Sequence, residues 1–321
     1  MKTAACISTL AIVFATQNAG AQSYPSKPVR LVAGAATGSA SDTAARIIAE
    51  PLSGMWKQQV VVENRPGAGG VPAAEIVSKA TPDGHTLLLC SIASHGIGPV
   101  LRKNLPYDHL KDFTPVTRIG SLPNAMMVHP SLPVKTVKDF VAHAKANPGK
   151  LQYGSSGVGN SPHLTMELFR AAAGITLNHV PQKPGQPTND ELVAGRLSVA
   201  FNNLPSALPL LKDGKVRALA VTSAKRNAQL PDTPTLIESG FPGMEVTVWS
   251  GLCGPAKLAK PVVAKLNADL AKVLSIPEIQ KRYAERGGEV KTSTPEEFVS
   301  FIKSENAKWA KAAKSAGIEP Q

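Results

Sequence analysis

The stretch Tyr153–Phe169, YGSSGVGNSPHLTMELF, leads from a short apolar run through serines, glycines and an asparagine into a helical pattern. Leu164, Leu168 and Ala172 repeat at helical spacing, and Gly174 is placed to end the helix. In an open α/β sheet, ligands bind beyond the carboxyl ends of the strands, where such loops enter helices. The stretch therefore predicts a strand, a ligand-facing loop and a helix of an α/β fold.

Strand-like and helix-like segments alternate on both sides of this stretch. A chain of 321 residues exceeds what one hydrophobic core usually supports, so two α/β domains are expected. Right-handed helical crossovers would join their parallel strands. In the first half we predict strands at Val29–Ala33, Val60–Val62 and Thr86–Cys90, with helices through Ala44–Leu52 and Ala73–Val77. In the second half we predict strands at Ala125–Val128, Leu151–Gly154, Leu177–Val180, Leu197–Phe201 and Val216–Thr222, with a helix through Val137–Ala144.

The C-terminal part has mostly helical spacing and includes a long last helix, TPEEFVSFIKSENAKWAKAAK. Thr294, Pro295 and Glu297 form a capping pattern at its start. Its apolar face needs a sheet to cover, and the first domain, which has few helices of its own, is the expected host. We therefore predict domain 1 at residues 22–123 plus 246–321 and domain 2 at residues 124–245, with crossings near Pro123 and Glu245.

The amino terminus has the layout of a cleavable secretory signal, with Lys2, an apolar stretch and Ala-Gly-Ala before Gln22. We expect residues 1–21 to be removed and the remainder, which has no apolar run of about 18 residues, to be soluble. Cys90 and Cys253 then remain. In an oxidising compartment they could pair, but two buried thiols are the expected arrangement.

The net charge of +12 suggests an anionic partner. Basic residues are scattered and aromatic residues make up only 5% of the chain, so nucleic acid is not expected as a partner. A weak positive field that attracts small anions is favoured, beside the interpretation of a generally soluble basic surface. The seven histidines show no metal-ligand spacing, so neither a metal nor another cofactor is predicted. We expect a monomer.

Similar loops precede a helix in both halves. Helix N-termini present unpaired N–H groups and a partial positive charge, which suit a carboxylate or a phosphate. Two such loops, GAATGSASD and GSSGVGNS, would close on a small anion if they faced each other across a cleft. Each residue alone also fits an ordinary N-cap. The ligand-binding residues predicted from these loops are Gly38, Ser39, Ser41, Asp42, Ser155, Ser156, Gly157, Asn160 and Ser161.

Catalytic patterns are incomplete in the same loop. GSSGV has Val158 where a nucleophile elbow requires glycine. GVGNSP has Pro162 where a dinucleotide-binding loop has its last glycine. A secreted serine hydrolase that uses Ser156 with His163 stays as an alternative, but no acid completes the pair, so we predict no catalytic residue.

Seven segments distributed over the mature chain resemble the Bug family, the periplasmic receptors of tripartite tricarboxylate transporters. They are YPSKPVRLV, VVVENRPGAGG, ATPDGHTLLL, LPYDHLKDFTPVT, VHPSLPVKTVKDFVAHAKANPGKLQYGSSGVGNSPHL, FNNLPSALPLLKDGKVRALAVTSAKR and LPDTPTLIESGFPG. The resemblance implies a two-domain periplasmic-binding-protein fold of type II, a Venus flytrap with two interdomain crossings, and no enzymatic activity.

The resemblance also implies the ligand class and the partner. Such a receptor captures a small organic carboxylate, which is a di- or tricarboxylate, an acidic amino acid or an aromatic acid. It passes this anion to the transporter's membrane subunits. A sensory protein that uses the same pocket to signal to a membrane partner is the alternative.

The resemblance adds residues to the predicted site, and the chain also departs from the family pattern there. The added positions are Ser91, Ser94, His95, Asn202 and Asn203. The first loop has AGAATGSASD where the family usually has PFAPGGSTD, and Gly98-Pro99 stands where Asn-Pro is usual. Gln182, Lys183 and Pro184 stand where YKG is usual, and we include Gln182 in the pocket. Lys183 would favour a diacid if it points into the cleft; otherwise it is a solvated loop lysine.

Overall fold

The computed structural model describes residues 24–37, 39–155, 161–182, 188–315 and 317–320. The predicted signal, residues 1–21, lies outside these ranges. So do Gly38, Ser156, Gly157 and Asn160 of the predicted ligand-binding residues, as well as Lys183. Within the described ranges, no helix combines the length and the apolar character that crossing a membrane requires.

Strands and helices alternate through most of the fold, which confirms the α/β prediction. The strands are β1 (Val29–Ala33), β2 (Val60–Asn64), β3 (Thr86–Ser91), β4 (Phe113–Val128), β5 (Gln152–Ser155), β6 (Asn178–Pro181), β7 (Val199–Asn203), β8 (Arg217–Val221), β9 (Thr247–Pro255) and β10 (Glu289–Val290). The helices are α1 (Ala40–Trp56), α2 (Val71–Ser78), α3 (Gly98–Leu101), α4 (Val137–Ala146), α5 (Ser161–Ala173), α6 (Thr188–Val193), α7 (Leu204–Lys212), α8 (Lys260–Leu274), α9 (Pro277–Ala284) and α10 (Pro295–Ser315). A 3₁₀-helix, Ala68–Gly70, precedes α2, and a π-helix, Ile92–Ile97, follows β3.

One strand, β4, carries the sheet from the first half of the fold into the second. Residues 113–123 of β4 pair with β9, and residues 124–128 pair with β7 and β8. The strand order is β2-β1-β3-β9-β4-β7-β5-β6, with β8 and β10 also paired to β4. We call β1, β2, β3, β9, β10 and residues 113–123 the first section, and β5 to β8 with residues 124–128 the second section. The two predicted α/β units are thus two sections of one ten-stranded sheet.

The start of β4 is where the strand prediction was wrong. A strand was predicted from Ala125, whereas β4 begins at Phe113. Pro115, Gly120 and Pro123 interrupt the strand pattern of the sequence, because proline and glycine weaken a strand interior. The pairing of β4 with β9 shifts register beside Pro115 and again beside Gly120, so irregularities in the ladder accommodate both residues.

The last helix covers the first section, as expected. The Glu297 N–H donates to Thr294 Oγ1 at 3.1 Å, and the Thr294 N–H donates to Glu297 Oε2 at 2.9 Å. This is the predicted capping box. Phe298 and Ile302 are fully buried and share a core with residues of β1, β3 and β9. Their burial holds α10 against this face of the sheet.

A buried carboxylate fixes α10 to β9. Glu305, on α10, accepts hydrogen bonds from the indole N–H groups of Trp249 (2.9 Å) and Trp309 (3.1 Å). The Lys308 ammonium group pairs with the same carboxylate. Both indoles are 1% exposed, so no water replaces the carboxylate if it is removed.

Replacing Glu305 by leucine should therefore lower the free energy of unfolding by about 2–4 kcal/mol, because two buried indole donors lose their acceptor. Glu305→Gln keeps an acceptor oxygen and should cost less than half as much. Urea unfolding followed by tryptophan fluorescence measures both variants. Equal stability of the two would show that the indole hydrogen bonds do not hold α10.

A disulfide joins β3 to β9. Cys90 and Cys253 are bonded, with their Cα atoms 5.9 Å apart and a sequence separation of 163. The expectation of two separate buried thiols was therefore wrong. The strands are antiparallel neighbours in which Cys90 lies opposite Gly251 and Cys253 opposite Leu88. This proximity comes from strand pairing, which the cysteine spacing does not show.

Replacing both cysteines by alanine should lower the free energy of unfolding by about 2–5 kcal/mol, mainly because the unfolded chain is no longer constrained. Thermal unfolding of the oxidised wild type, the reduced wild type and the double variant measures this. A thiol titration of the unfolded, unreduced protein should find no free thiol in the mature chain. Finding two would contradict the pairing.

Candidate ligand-binding site

The helix starts predicted to bind a ligand gather around the crossing of β4 between the two sections. Pro123 is the last β4 residue paired with β9, and Asn124 is the first paired with β7, opposite Asn203. Three helices, α1, α5 and α7, begin beyond the carboxyl ends of β1, β5 and β7. Ligands of α/β proteins bind at such strand ends. The candidate site is therefore centred on this crossing.

A cavity of about 610 Å³ lies between α1 and α7, with the crossing strands as its floor. Pockets for small molecules usually have about 300–1,000 Å³. Ser39 and Ser41 of the predicted set line this cavity, and Lys212 and Arg286 contribute cations to its wall. The other predicted residues that the structure describes are not part of its lining. The cavity thus covers the α1 and α7 side of the candidate site.

The start of α1 is fixed by its own side chains. Ser39 is the N-cap, and its Oγ accepts a hydrogen bond from the Asp42 N–H at 3.3 Å. The buried Asp42 carboxylate accepts from Arg46 Nε at 3.0 Å and from Asn64 Nδ2 at 2.9 Å. Asp42 therefore ties α1 to the end of β2, and its negative charge is paired with a cation.

The loop before α1 packs on the glycine-rich segment that precedes α2. A Cβ atom on Gly34 would lie 2.5 Å from the Gly70 Cα, so these two backbones are in direct contact. Gly70 also has a φ of 88°, which favours glycine. This contact explains the need for glycine in both segments and positions the loop that leads to Ser39.

Ser94 and His95 belong to the π-helix after β3, and both are buried in the first section. Ser94 Oγ lies 3.0 Å from His95 Nδ1 and accepts from the Ser91 N–H at 3.1 Å. His95 is fully buried, with its ring 4.8 Å from that of Phe113, and burial lowers the pKa of His95 to about 3. Of the three predicted positions, only Ser91 is partly exposed.

The same histidine belongs to the only group of metal-capable side chains found in the described part of the chain. The donor atoms of Cys90, His95 and Cys253 lie within 4.8 Å of one another. Both sulfur atoms are bonded to each other, however, and a disulfide offers no thiolate to a metal. The group therefore forms a structural disulfide with a neutral imidazole beside it.

In the second section, Ser155 ends β5 next to a stack of rings. Its Oγ lies 2.8 Å from His179 Nε2. The His179 ring stacks on Tyr153 at 4.6 Å and on His163 at 4.2 Å between centroids. Burial lowers the pKa of His163, and burial together with the neighbouring His163 lowers the pKa of His179 to about 4. Both rings are therefore neutral at pH 7 and add no positive charge.

The amides of Asn202 and Gln182 make local hydrogen bonds. Asn202 Nδ2 donates to Asn189 Oδ1 at 2.7 Å, and Asn202 Oδ1 accepts from the Asn203 N–H at 2.9 Å. The Gln182 backbone N–H donates to Ser155 O at 2.9 Å, and its side chain donates to the carbonyl of Val180 at 3.1 Å. These contacts position the strand ends beside the loop at β5.

Asn124 belongs to the site but was not predicted. It is fully buried, and its Nδ2 lies 3.3 Å from Ser161 Oγ and 3.4 Å from Thr165 Oγ1, both in the first turns of α5. The sequence carries one signal for it, because a single amide stands between Pro123 and the apolar run AMMV. Because buried polar side chains usually have hydrogen-bond partners, an amide at the start of a buried strand indicates a specific contact.

Comparison with known proteins identifies the family of this chain. A family model described as "Tripartite tricarboxylate transporter family receptor" matches residues 44–318. Protein BugT of Bordetella pertussis is 30% identical over 300 residues, which cover 93% of this chain and 92% of BugT. The R. palustris protein Rpa4515, solved with adipate, is 36% identical with a TM-score of 0.85, covering 93% of this chain and 100% of that one. MatC from Rhodopseudomonas palustris, solved with bound malate, is 30% identical with a TM-score of 0.79, covering 90% of this chain and 99% of MatC.

These similarities extend over nearly the whole chain. The structural matches confirm the predicted fold, a type II periplasmic-binding-protein fold with two crossings. The family consists of substrate-binding receptors, which confirms that the chain is not an enzyme. The chain belongs to the Bug family, the solute-binding receptors of tripartite tricarboxylate transporters.

Proposed function

We propose that the chain is a periplasmic receptor that captures a small organic carboxylate between two lobes and delivers it to transporter membrane subunits. The lobes are residues 22–123 with 246–321, and residues 124–245. One observation carries the proposal: helix starts from both sections of the sheet converge on the β4 crossing and bring neutral hydroxyl and amide groups there.

An anion needs no charged side chain at such helix starts. The first N–H groups of a helix lack partners inside the helix and carry a partial positive charge, so they bind carboxylate oxygens. The hydroxyl groups of Ser39, Ser41 and Ser161 lie at the starts of α1 and α5. The net charge of +12 attracts anions from a distance. This combination favours reversible capture.

A dicarboxylate is the ligand we propose first. Adipate and malate, which accompany Rpa4515 and MatC, are both dicarboxylates. In this chain, Lys212 and Arg286 lie in the cavity wall opposite the neutral start of α1. A second carboxylate of the ligand would meet these cations while the first lies at a helix start.

The acidic residues of the same wall do not cancel those cations. Asp213 lies 3.2 Å from Lys215, and Glu285 lies 4.0 Å from Lys281. Each acid thus has a basic neighbour outside the cavity, and these two lysines together with the four charged residues of the wall carry a net charge of +2. This charge distribution supports a ligand with more than one carboxylate.

The two lobes close because the ligand makes some of its contacts only in the closed arrangement. A ligand that touches both α1 and α5 stabilises the closed form by its extra contacts and shifts the population towards it. The hinges would lie at the two crossings, near Pro123 and Glu245, where few residues connect the lobes.

A thermal-shift screen of the protein without residues 1–21 tests the proposal. Dicarboxylates should raise the melting temperature, and a ligand at a hundred times its Kd should add about 2.7 kcal/mol to the free energy of unfolding. Ser161→Leu should abolish the shift by filling the start of α5 with an apolar side chain. Ser300→Leu, on the exposed side of α10, is the matched control and should keep it.

The proposal is wrong if no carboxylate in the screen stabilises the protein, or if Ser161→Leu responds as the wild type does. Transport and sensing are separated by uptake measurements in cells. Deleting the receptor should abolish uptake of the acid identified in the screen, whereas a sensor would leave uptake through an existing transporter intact.

A further inference from the structure

Two buried carboxamide oxygens at the β4 crossing have no hydrogen-bond partner among the described residues. They are Asn124 Oδ1 and Asn203 Oδ1. An unpaired polar atom away from water costs about as much as a lost hydrogen bond, so each buried atom without a partner needs an explanation, and a ligand group is one. The two asparagines lie opposite each other in the β4–β7 ladder. Opposite residues project from the same face of an antiparallel pair, with Cβ atoms about 4.5–5.5 Å apart.

The hydrogen-bond network fixes the orientation of the Asn124 amide. Thr165 Oγ1 donates its one hydrogen to the carbonyl of Ser161 at 2.7 Å. It can therefore only accept from Asn124, which places the NH₂ group of the amide towards α5. Ser161 Oγ accepts from the same NH₂ group. The Asn124 oxygen must then point away from these two hydroxyl groups.

Asn203 is oriented by the start of α7. It occupies the N-cap position, where an asparagine oxygen usually accepts from the N–H of the second or third helical residue. The second residue here is Pro205, which has no N–H, and the Asn203 side chain makes no capping bond. Its oxygen is therefore also free of the usual local partner.

We infer that Asn124 and Asn203 accept hydrogen bonds from a donor group of the ligand, so that the receptor selects carboxylates substituted with such a donor. An ammonium group can serve both oxygens, and a hydroxyl group, which has one hydrogen, serves one of them. The inference rests on the proposed function. Two amide oxygens repel a carboxylate, which is held instead by the N–H groups at the helix starts. A hydroxy or amino dicarboxylate matches both parts of the site, whereas an unsubstituted diacid leaves both oxygens unpaired. Loss of a hydrogen bond to a buried acceptor weakens binding by about tenfold or more.

Calorimetric titrations with matched ligands test this selectivity. The pairs are succinate with malate, succinate with aspartate, and adipate with 2-hydroxyadipate, so that each pair differs by one donor group. The wild type should bind the substituted member of at least one pair about tenfold more tightly. Asn124→Leu should reduce that ratio to about twofold or less.

Two further variants complete the experiment. Asn147→Leu, at the end of α4, is the matched control and should keep the wild-type ratio. Asn124→Asp keeps an acceptor in nearly the same shape and should preserve or increase the preference for aspartate over succinate. Circular dichroism checks that each variant is folded, and if Asn124→Leu is not, Asn203→Ala, which removes the second acceptor, should reduce the ratio instead.

The outcomes separate this inference from the proposed function. If no carboxylate binds to the wild type, the proposed function is wrong, and this inference is wrong with it. If dicarboxylates bind but the wild type shows no preference within any pair, only the inference is overturned. It is also overturned if Asn124→Leu keeps the preference, or if Asn124→Asp loses the preference for aspartate.

Discussion

A single buried threonine joins the two places where the chain crosses between the sections. The Thr222 hydroxyl accepts from the Asn124 N–H at 2.8 Å and donates to the Val246 carbonyl at 2.5 Å. The Thr222 backbone bonds to the same two residues, each at 2.9 Å. Asn124 belongs to the first crossing and Val246 to the second. Because Thr222 is fully buried, water does not compete for these bonds, and the two crossings are held as one unit.

The polar side chains near this unit mostly hold helix starts in place. Asp42, Arg46 and Asn64 fix α1 to β2, and Asn124 and Ser161 connect β4 to α5. These bonds use side chains, and at α1 the Asp42 N–H is also bonded, to Ser39 Oγ. The Asp42–Arg46 ion pair at α1 has no net charge. His163 and His179 are uncharged at pH 7 because burial lowers their pKa. In the proposed function, the site attracts an anion through N–H groups at the helix starts and the net charge of the chain.

Local patterns predicted most of the fold, and long-range pairing accounts for what they missed. Helical spacing and capping residues are local, so the start of α10 at Thr294 and Pro295 could be predicted. The disulfide required knowledge that β3 and β9 are neighbours across 163 residues. The first part of β4 was missed because its glycine and prolines are tolerated only at irregularities of its pairing with β9. In the site, the helix starts were predictable, but Asn124 was not, because only the crossing brings it to Ser161.

Recognition and closure are linked through Asn124. Its backbone N–H bonds to Thr222, the residue that joins the two crossings, and its side chain bonds to Ser161 at the start of α5. A ligand group that pairs with its oxygen is therefore held at the one position that is common to both crossings and to a helix start. In the proposed function, contacts at the outer ends of the lobes would change most as the lobes move, whereas contacts beside Thr222 would persist in both forms. The donor group would then contribute mainly to selectivity, while carboxylates that reach across to α1 would supply the difference in free energy that closes the receptor.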